Sequence, residues 1–229
     1  MSSALIGHTG FVGSNLRAAL PFDVLVNSKN LEELRGDSFD LVVCAGARAE
    51  KWKANRDPDG DLAGIERLIT VLHDVRARSF VLVSTVDVFE NPVDVDESAS
   101  ADAHHAYGRH RRLLEALCAH QFPTLIARLP ALFGPGLKKN AVFDLLHDNQ
   151  VEKIHPESTY QFYDVRWLWP DLEKARGAGI QLLQGPALGV RDGVHVQPWH
   201  SVLRRPPRNT RELLWIFRRE AVGQIATTS

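Results

Sequence analysis

Three glycines recur at intervals of three in residues 7–13, whose sequence is GHTGFVG. A short apolar run precedes this segment, and a stretch with apolar residues on one helical face follows it. Glycines in such a loop allow a tight turn, close approach of backbone N–H groups to a diphosphate, and close packing of helix on strand. The helix N-terminus adds partial positive charge at the same place. The spacing predicts a nucleotide-binding loop, and the alternative is a structural turn.

A phenol and a cation, Tyr107 and Arg111, stand four residues apart at the start of a predicted helix. Side chains at this spacing share one helical face, so both can meet the same ligand. A cation beside a phenol favours the phenolate by Coulomb attraction. A guanidinium, however, does not relay protons. The pair is the second candidate for chemistry, unless Tyr107 is an ordinary aromatic residue at a helix start.

The second predicted strand ends in the segment Val-Asn-Ser-Lys-Asn at residues 26–30, which contains no acidic residue. An Asp or Glu at this place in a dinucleotide-binding fold would bond the adenosine ribose and repel a 2′-phosphate. Lys29, with the small polar side chains of Asn27 and Ser28, could hold that phosphate instead. The segment therefore favours NADP over NAD, unless Lys29 is only a solvated loop residue.

The elements that would position these residues alternate between apolar runs and amphipathic stretches. The runs predicted as strands are residues 4–6, 24–26, 41–45, 80–83 and 124–127, and the helical faces lie in 11–20, 62–72 and 113–118. Strands that are apolar throughout and alternate with helices are typical of a parallel sheet covered on both faces. After Pro135 the pattern weakens to predicted helices at 141–146 and 172–180.

The composition narrows the class of protein. The chain has 229 residues, 44% of them apolar and 24% charged, with a formal net charge of −1. These values are typical of a globular domain and argue against nucleic-acid binding through bulk positive charge. The two cysteines, Cys44 and Cys118, exclude a disulfide scaffold and a four-cysteine zinc site, so we expect buried thiols in a reducing compartment.

Targeting and metal signals are weak in the sequence. No run of 18 apolar residues is present, and the first residues lack the basic and apolar regions of a signal peptide, so we expect a cytoplasmic protein without a membrane segment. The histidines at 104, 105 and 110 have no convincing metal-ligand spacing, which predicts a polar loop and no metal site.

Taken together, these segments resemble the extended short-chain dehydrogenase/reductase superfamily, the NAD(P)-dependent epimerase/dehydratase group. Three segments beside the glycine loop carry the resemblance. They are STVDVF at 84–89, similar to Ser-Thr/Ser-x-x-Val-Tyr; YGRHR at 107–111, similar to Tyr-Gly-x-x-Lys with Arg for Lys; and RLPALFGPG at 128–136, similar to Arg-x-x-x-x-aromatic-Gly-Pro-Gly. The matches span residues 3–140.

The resemblance implies a doubly wound α/β Rossmann fold with a parallel sheet and a small, irregular C-terminal substrate region. The implied parts are a dinucleotide-binding domain at 1–136, whose last sheet elements could come from the C-terminal part, a substrate region at 137–203 and a basic tail at 204–229. Six arginines and one acid, Glu212, stand between residues 204 and 219. That tail is either a solvated segment or a basic contact surface.

The resemblance also implies roles for individual residues. Tyr107 takes the place of the proton donor or acceptor, Thr85 that of the hydroxyl that polarises the substrate oxygen, and Arg111 that of the lysine that anchors the nicotinamide ribose. The implied cofactor-binding residues are Gly7, Thr9, Gly10, Phe11, Val12, Gly13, Asn27, Ser28, Lys29, Cys44, Ala45, Gly46, Ser84, Tyr107, Arg111, Pro130 and Ala131. Lys138, Lys139 and Asn140 would face the substrate or else form an exposed loop.

The function implied is an NAD(P)-dependent oxidoreductase or epimerase that transfers hydride on a sugar or sugar nucleotide. Two alternatives remain. The arginine at 111 and the short C-terminal region allow a non-catalytic NAD(P)-binding regulator or scaffold, and a reductase for a small non-sugar carbonyl is a third possibility. We expect a small-molecule substrate and no nucleic-acid or membrane partner, with a homodimer as an open alternative to a monomer.

Overall fold

The computed structural model describes residues 1–92, 95, 97–153 and 162–184. The strands are β1 (Ser3–Ile6), β2 (Val24–Val26), β3 (Ser38–Phe39), β4 (Leu41–Cys44), β5 (Arg76–Ala77), β6 (Phe80–Thr85), β7 (Thr124–Leu129), β8 (Ala131–Phe133), β9 (Phe162–Asp164) and β10 (Leu182–Gln184). The α-helices are α1 (Phe11–Ala19), α2 (Lys51–Arg56), α3 (Pro58–Leu72), α4 (Ala106–Gln121), α5 (Ala141–Leu146) and α6 (Leu168–Gly177). Short 3₁₀ helices cover Leu31–Leu34, Val86–Val88, Val151–Lys153 and Val165–Trp167. The arginine-rich segment at 204–219 lies outside the described residues.

Six strands form one parallel sheet in the order β2-β1-β4-β6-β7-β10. The chain runs outward from β1 to β2 and then returns to the other side of β1 at β4, with Ile6 paired to both Val26 and Cys44. The order in which strands are added therefore reverses between β1 and β4. Ligands of open α/β sheets bind outside the carboxyl ends of the strands at such a point. This topology confirms the predicted doubly wound α/β fold.

The central strands β1 and β4 are buried on both faces, as their unbroken apolar runs predict. Alternate residues of β1 point into different layers: Ala4 and Ile6 pack with α3 and α4, whereas Leu5 packs with α1 and α6. This two-residue alternation is the ordinary geometry of a strand. Two separate apolar layers fix the sheet between helices, so the carboxyl ends of β1, β4 and β6 are held at a common edge.

The described C-terminal residues return to the same sheet. β8 leaves the end of β7 and pairs in parallel with β9, which leads through α6 to β10 at the sheet edge beside β7. β10 is too short and too mixed in composition to be recognised in the sequence. A second small parallel pair, β3 with β5, lies outside the main sheet. Among the described residues, no helix is long and apolar enough to cross a membrane.

Candidate active site

The first glycine of the loop is placed where the ends of three strands converge. Gly7 adopts φ +86°, and its N–H donates to the carbonyl of Val26 at 2.8 Å. A Cβ at this position would lie 2.3 Å from the carbonyl oxygen of Ala45, just after β4. Both the left-handed backbone and the close approach require glycine. The tight turn predicted from the sequence is therefore present at the end of β1.

The other two glycines differ in what surrounds them. A Cβ at Gly13 would lie 2.1 Å from the carbonyl oxygen of Gly7, so this glycine is needed for helix α1 to pack on the loop. Gly10 is exposed, and a Cβ there would meet only the Gly7 carbonyl oxygen, at 3.4 Å. The space outside Gly10 is thus open to a ligand.

Helix α1 begins beside this open space without a competing anion. Its N-cap residue, Gly10, provides no side-chain hydrogen bond, and no acidic residue stands in the first turn. The first backbone N–H groups of a helix lack internal partners and carry partial positive charge. A cradle of open backbone with these donors fits the diphosphate of a dinucleotide.

The turn after β2 is held rigidly by its own side chains. Asn27 accepts a hydrogen bond from the N–H of Lys29 at 2.8 Å, and the Asn27 N–H donates to the side chain of Asn30 at 2.9 Å. Ser28 and Lys29 are exposed on this turn. Their exposure leaves a hydroxyl and an ammonium free to face solvent or a ligand.

Two residues that the sequence analysis missed also border this turn. The side-chain amide of Asn27 lies 3.3 Å from Nε2 of His8, and Arg67 of α3 donates to the carbonyl of Ser28 at 2.9 Å. Arg67 is far from the turn in sequence, and no local pattern could have indicated it. Together with Lys29, it places a second cation near the end of β2.

The segment after β4 borders the glycine loop with its backbone more than with its side chains. Cys44 is buried in the layer beneath α3 and α4, where burial raises the pKa of its thiol to about 11. Its side chain therefore faces the core, away from the glycine loop. The N–H of Ala45 donates to the carbonyl of Ile6 at 2.9 Å, and Gly46 is exposed. Of the three predicted residues here, Ala45 and Gly46 lie at the loop.

Tyr107 lies in the first turn of α4, and its side chain is 6% exposed. Its backbone N–H donates to the side chain of Asn55 in α2 at 3.0 Å. Burial raises the pKa of the phenol, and this effect is opposed by the positive charge of Arg111 and by a hydrogen bond with the hydroxyl of Thr85. The structure thus brings together Tyr107 and Thr85, which the sequence analysis paired only through the resemblance.

The side chain of Arg111 is buried and does not face the open site. Its guanidinium lies 4.0 Å from the centroid of the Tyr107 ring, and its side chain is 3% exposed. One terminal nitrogen bonds the carboxylate of Asp61 in α3, and the other bonds the carbonyl of Arg48. Nε is buried and has no hydrogen-bond partner among the described residues. The guanidinium is therefore fixed over the phenol, and its contact with a ribose stays a prediction.

Asp61 is the partner that holds this arrangement. Besides Arg111, it bonds Nδ1 of His110 at 2.8 Å. Burial acts to raise the pKa of Asp61, but hydrogen bonds from Arg111 and His110 outweigh it and hold that pKa below the ordinary value. The pKa of Tyr107 stays above its ordinary value despite the charge of Arg111 chiefly because the phenol is buried, and the negative charges of Asp87 and Asp61 act in the same direction.

A second carboxylate, Asp87, lies on the other side of Thr85. The Thr85 hydroxyl accepts from the Asp87 N–H at 3.1 Å and lies 3.3 Å from the Asp87 carboxylate. That carboxylate accepts from the ammonium of Lys51 in α2 at 2.7 Å. The sequence analysis missed Lys51 because α2 has no amphipathic pattern that would predict a helix.

Ser84 belongs to a buried network beside the site. Its hydroxyl donates to Glu115 at 2.5 Å, and Arg128 makes two hydrogen bonds to the same carboxylate, at 3.1 and 2.8 Å. This network ties β6 and β7 to α4. Ser84 thus supports the end of β6 from within the fold, next to Thr85.

The segment after β7 crosses the loop region at two points. Asn15 of α1 donates to the carbonyl of Pro135 at 3.0 Å, and Lys139 donates to the carbonyl of Ala49 at 3.1 Å. Pro130 joins β7 to β8, and Ala131 is the first residue of β8, at the same edge of the sheet. Lys138 is exposed, which is compatible both with a contact to the substrate and with an exposed loop.

Asn140, the third residue expected to face the substrate, holds the backbone instead. It has φ +142°, and its side chain donates to the carbonyl of Leu132 at 2.7 Å and accepts from the N–H of Phe143 at 3.0 Å. Its amide is therefore used in the turn that begins α5, and its substrate contact stays a prediction.

Comparison with models of protein families identifies the family of this chain. The model of the NAD dependent epimerase/dehydratase family matches residues 22–157, more than half of the sequence. The chain belongs to the NAD dependent epimerase/dehydratase family. The match begins after the glycine loop and includes Thr85, Tyr107 and Arg111. It confirms the resemblance seen in the sequence and the expectation of an enzyme. No curated protein sequence matched the chain.

Solved structures of similar fold share little sequence with this family member. The NAD dependent NDP-hexosamine 5,6-dehydratase TunA, involved in tunicamycin biosynthesis, is 17% identical over 97% of this chain and 82% of its own, with a TM-score of 0.68. UDP-glucuronic acid 4-epimerase from Bacillus cereus, in complex with UDP-glucuronic acid and NAD, is 18% identical over 81% and 77%, with a TM-score of 0.66. A dTDP-4-dehydrorhamnose reductase from Clostridium acetobutylicum is 17% identical over 80% and 73%, with a TM-score of 0.65.

These structures establish the fold. In the part of the chain that the structure describes, no group of three or more His, Cys, Asp or Glu side chains could hold a metal ion.

Proposed function

We propose that this protein binds a nicotinamide dinucleotide at the loop 7–13 and transfers hydride on a sugar or sugar-nucleotide substrate, with Tyr107 as the acid–base group. The observation that carries the proposal is the placement of the phenol. Tyr107 lies in the first turn of α4, which packs against β6 and the turn that follows it. β6 ends at Thr85 and lies two strands from β1 in the sheet, at the edge where the glycine loop opens.

In this proposal some residues bind the cofactor and others transfer a proton to or from the substrate. The backbone at Gly10 and the start of α1 hold the diphosphate, and the turn 27–30 meets the adenosine ribose. The bound nicotinamide supplies the hydride acceptor or donor. Tyr107 exchanges a proton with the substrate oxygen, and the Thr85 hydroxyl donates a hydrogen bond to that oxygen. Arg111 holds its positive charge against the phenol ring.

The same geometry favours NADP as the cofactor. Lys29 is exposed beside Asn27 and Ser28, Arg67 lies against the same turn, and no acid stands at positions 27–30. A 2′-phosphate would meet no carboxylate on the turn itself and would gain the ammonium of Lys29 and the guanidinium of Arg67, which also bonds Glu32 at 3.1 Å. We expect calorimetric titration to show tighter binding of NADP than of NAD. Tenfold tighter binding of NAD, about 1.4 kcal/mol, would overturn this preference.

Blocking the open side of the loop tests the binding site itself. Gly10→Val places a branched side chain in the space that the diphosphate would occupy, while the nearest protein atom to its Cβ is 3.4 Å away. We expect both dinucleotides to lose measurable binding while the thermal unfolding temperature changes little. Ser14→Ala, one turn further along α1, is the control. Unchanged binding to Gly10→Val would place the dinucleotide elsewhere.

Turnover tests the role of Tyr107. We expect wild-type protein to turn over a sugar nucleotide such as UDP-glucose or UDP-glucuronic acid, substrates chosen from the ligands of structures with the same fold. Tyr107→Phe removes only the hydroxyl, so folding and cofactor affinity should survive while kcat falls by about 10²–10⁴. Tyr163→Phe is the matched control outside the site. A Tyr107→Phe variant that keeps the wild-type rate would make Tyr107 structural.

A further inference from the structure

A hydrogen bond between two side chains joins the glycine loop to the turn after β2. The N–H of Gly7 donates to the carbonyl of Val26 at 2.8 Å, so the residues that follow them, His8 and Asn27, leave the sheet side by side. Nε2 of His8 lies 3.3 Å from Nδ2 of Asn27. This contact connects the segment proposed to hold the diphosphate with the segment proposed to meet the adenosine ribose.

The orientation of the Asn27 amide follows from its other contact. Oδ1 of Asn27 accepts from the backbone N–H of Lys29 at 2.8 Å, a bond that only the oxygen of the amide can make. The NH₂ group is therefore on the side of His8, where it acts as a donor. Because Nε2 of His8 has to accept that bond, Nε2 is unprotonated, and the proton of the neutral ring is on Nδ1.

The other nitrogen of the ring determines how His8 can act. Nδ1 is buried and has no hydrogen-bond partner among the described residues. Since Nδ1 is closed to a ligand and Nε2 is bound to Asn27, neither polar atom of the ring is free to contact a bound molecule. An effect of these nitrogens on binding therefore passes through the Asn27 amide.

Asn27 shapes the turn that is proposed to distinguish NADP from NAD. Its backbone N–H donates to Oδ1 of Asn30 at 2.9 Å, and its side chain accepts from the N–H of Lys29. On the other side of the turn, Arg67 of α3 donates to the carbonyl of Ser28 at 2.9 Å. The turn is thus held between the glycine loop and α3, and the exposed side chains of Ser28 and Lys29 lie between these two supports.

We propose that His8 is a positioning residue that favours NADP over NAD by holding the Asn27 amide. The inference rests on the proposed function, because it assumes that a dinucleotide binds at the glycine loop with its adenosine ribose at the turn after β2. The bond to His8 keeps Oδ1 of Asn27 on the N–H of Lys29, and the turn keeps the shape in which Lys29 can face a 2′-phosphate. NAD has no such phosphate, so its binding depends less on the shape of this turn.

The first experiment needs neither cofactor nor substrate. The chain has ten histidines, and the ring nitrogens of His8 can be assigned in a ¹⁵N NMR spectrum by comparison with His8→Phe. The ¹⁵N shifts distinguish a nitrogen that carries a proton from one that does not. At a pH where the ring is neutral, we expect the proton on Nδ1 in the wild type and a mixture of both tautomers in Asn27→Ala. A wild-type ring protonated on Nε2 would overturn the proposal, since Nε2 could not then accept from Asn27.

The second experiment is calorimetric titration with NADP and with NAD. We expect His8→Phe to weaken NADP binding by about 3–10-fold, the net value of one hydrogen bond, and NAD binding by less than about twofold. His8→Gln should restore NADP binding, because its Oε1 is as many bonds from Cα as Nε2 and can accept from Asn27. His8→Asn should not, because its side chain is one bond shorter. His73→Phe, at an exposed histidine after α3, should leave both affinities unchanged.

A double variant shows whether His8 acts through Asn27. In protein that already carries Asn27→Ala, His8→Phe should cause no further loss of NADP affinity, because residues of one hydrogen-bond network are not additive. The unfolding temperature of His8→Phe should be unchanged or higher, since the substitution removes a buried N–H that has no partner among the described residues.

The outcomes separate a positioning role from damage to the loop. If His8→Phe weakens NADP and NAD binding equally, or the losses in the double variant are additive, His8 only shapes the glycine loop and the proposal is wrong. If the wild type binds neither dinucleotide, the proposed function fails, whereas the NMR spectrum still decides whether His8 holds the Asn27 amide.

Discussion

The two ends of the candidate site are built in opposite ways. The glycine loop is shaped by backbone alone: Gly7 and Gly13 are in contact with carbonyl groups that leave no room for a Cβ, and no side chain caps α1. Around Tyr107 the backbone is ordinary helix, and the shape comes from contacts between distant parts of the chain, with the carboxylate of Asp61 and the backbone carbonyl of Arg48 bound to the guanidinium of Arg111.

This difference determines how each end can fail. A backbone cradle depends on the absence of side chains, so it should be broken by adding one atom and should tolerate changes elsewhere. A convergent cluster of charges depends on every partner being present, because removing one leaves another charge buried and unpaired. The predictions below separate these two kinds of dependence.

Gly13→Ala should have the largest effect on stability. Its Cβ would lie 2.1 Å from the carbonyl oxygen of Gly7 and 2.8 Å from the Gly7 carbonyl carbon, so the loop or the helix must move. We expect the free energy of unfolding to fall by about 3 kcal/mol or more, since rigid backbone cannot relax as a side chain can. Urea unfolding followed by circular dichroism measures it.

Gly10→Ala is the matched control for this prediction. Its Cβ would meet the same carbonyl oxygen at 3.4 Å, so we expect a change in unfolding free energy below about 1 kcal/mol. Equal losses for the two variants would show that the loop is not held by the Gly7–Gly13 contact.

The loop end of the site was the part that the sequence could predict. Gly7, Gly10 and Gly13 lie within seven residues, and their spacing reports a local backbone requirement. The strand ends were also predictable, because apolar runs such as 4–6 and 41–44 are buried on both faces and stop where the chain turns. The helix 141–146 was recognised with its observed bounds.

The Tyr107 end was only partly predictable, because its contacts join distant residues. The i, i+4 spacing placed Arg111 on the same face as Tyr107, and the guanidinium does lie over the ring. Nothing local indicated that Asp61, fifty residues earlier, would hold that guanidinium. Lys51 and β10 were missed for the same reason: each is fixed by its tertiary partner and carries no periodic pattern of its own.

Asp61→Asn tests the convergent cluster. The change leaves the Arg111 guanidinium buried without its counter-ion, and we expect the free energy of unfolding to fall by about 3 kcal/mol at neutral pH. Because the pKa of Asp61 is held below its ordinary value of 3.8, its contribution is complete above that pH and is lost as the pH falls below it. The difference between wild type and Asp61→Asn should therefore shrink below about pH 4.

Asp59→Asn is the control for this titration, since Asp59 is exposed in the first turn of the same helix. A difference between wild type and Asp61→Asn that stays constant from pH 7 to pH 3 would show that the Asp61 charge does not stabilise the fold.

Arg111→Lys should have the smallest effect and shows which property of the side chain matters. An ammonium keeps the charge beside Tyr107 but cannot bond Asp61 and the carbonyl of Arg48 in the same planar geometry. We expect the free energy of unfolding to fall by about 1 kcal/mol, the net value of one hydrogen bond, while kcat is retained or raised. Arg111→Met, in contrast, keeps much of the stem and removes the charge. Since the positive charge of Arg111 acts to lower the pKa of Tyr107, its loss should raise that pKa further and move the activity profile to higher pH. Activity profiles of the two variants between pH 6 and pH 10 measure this shift, and superimposable profiles for wild type and Arg111→Met would show that the cation over the ring holds the fold without tuning the phenol.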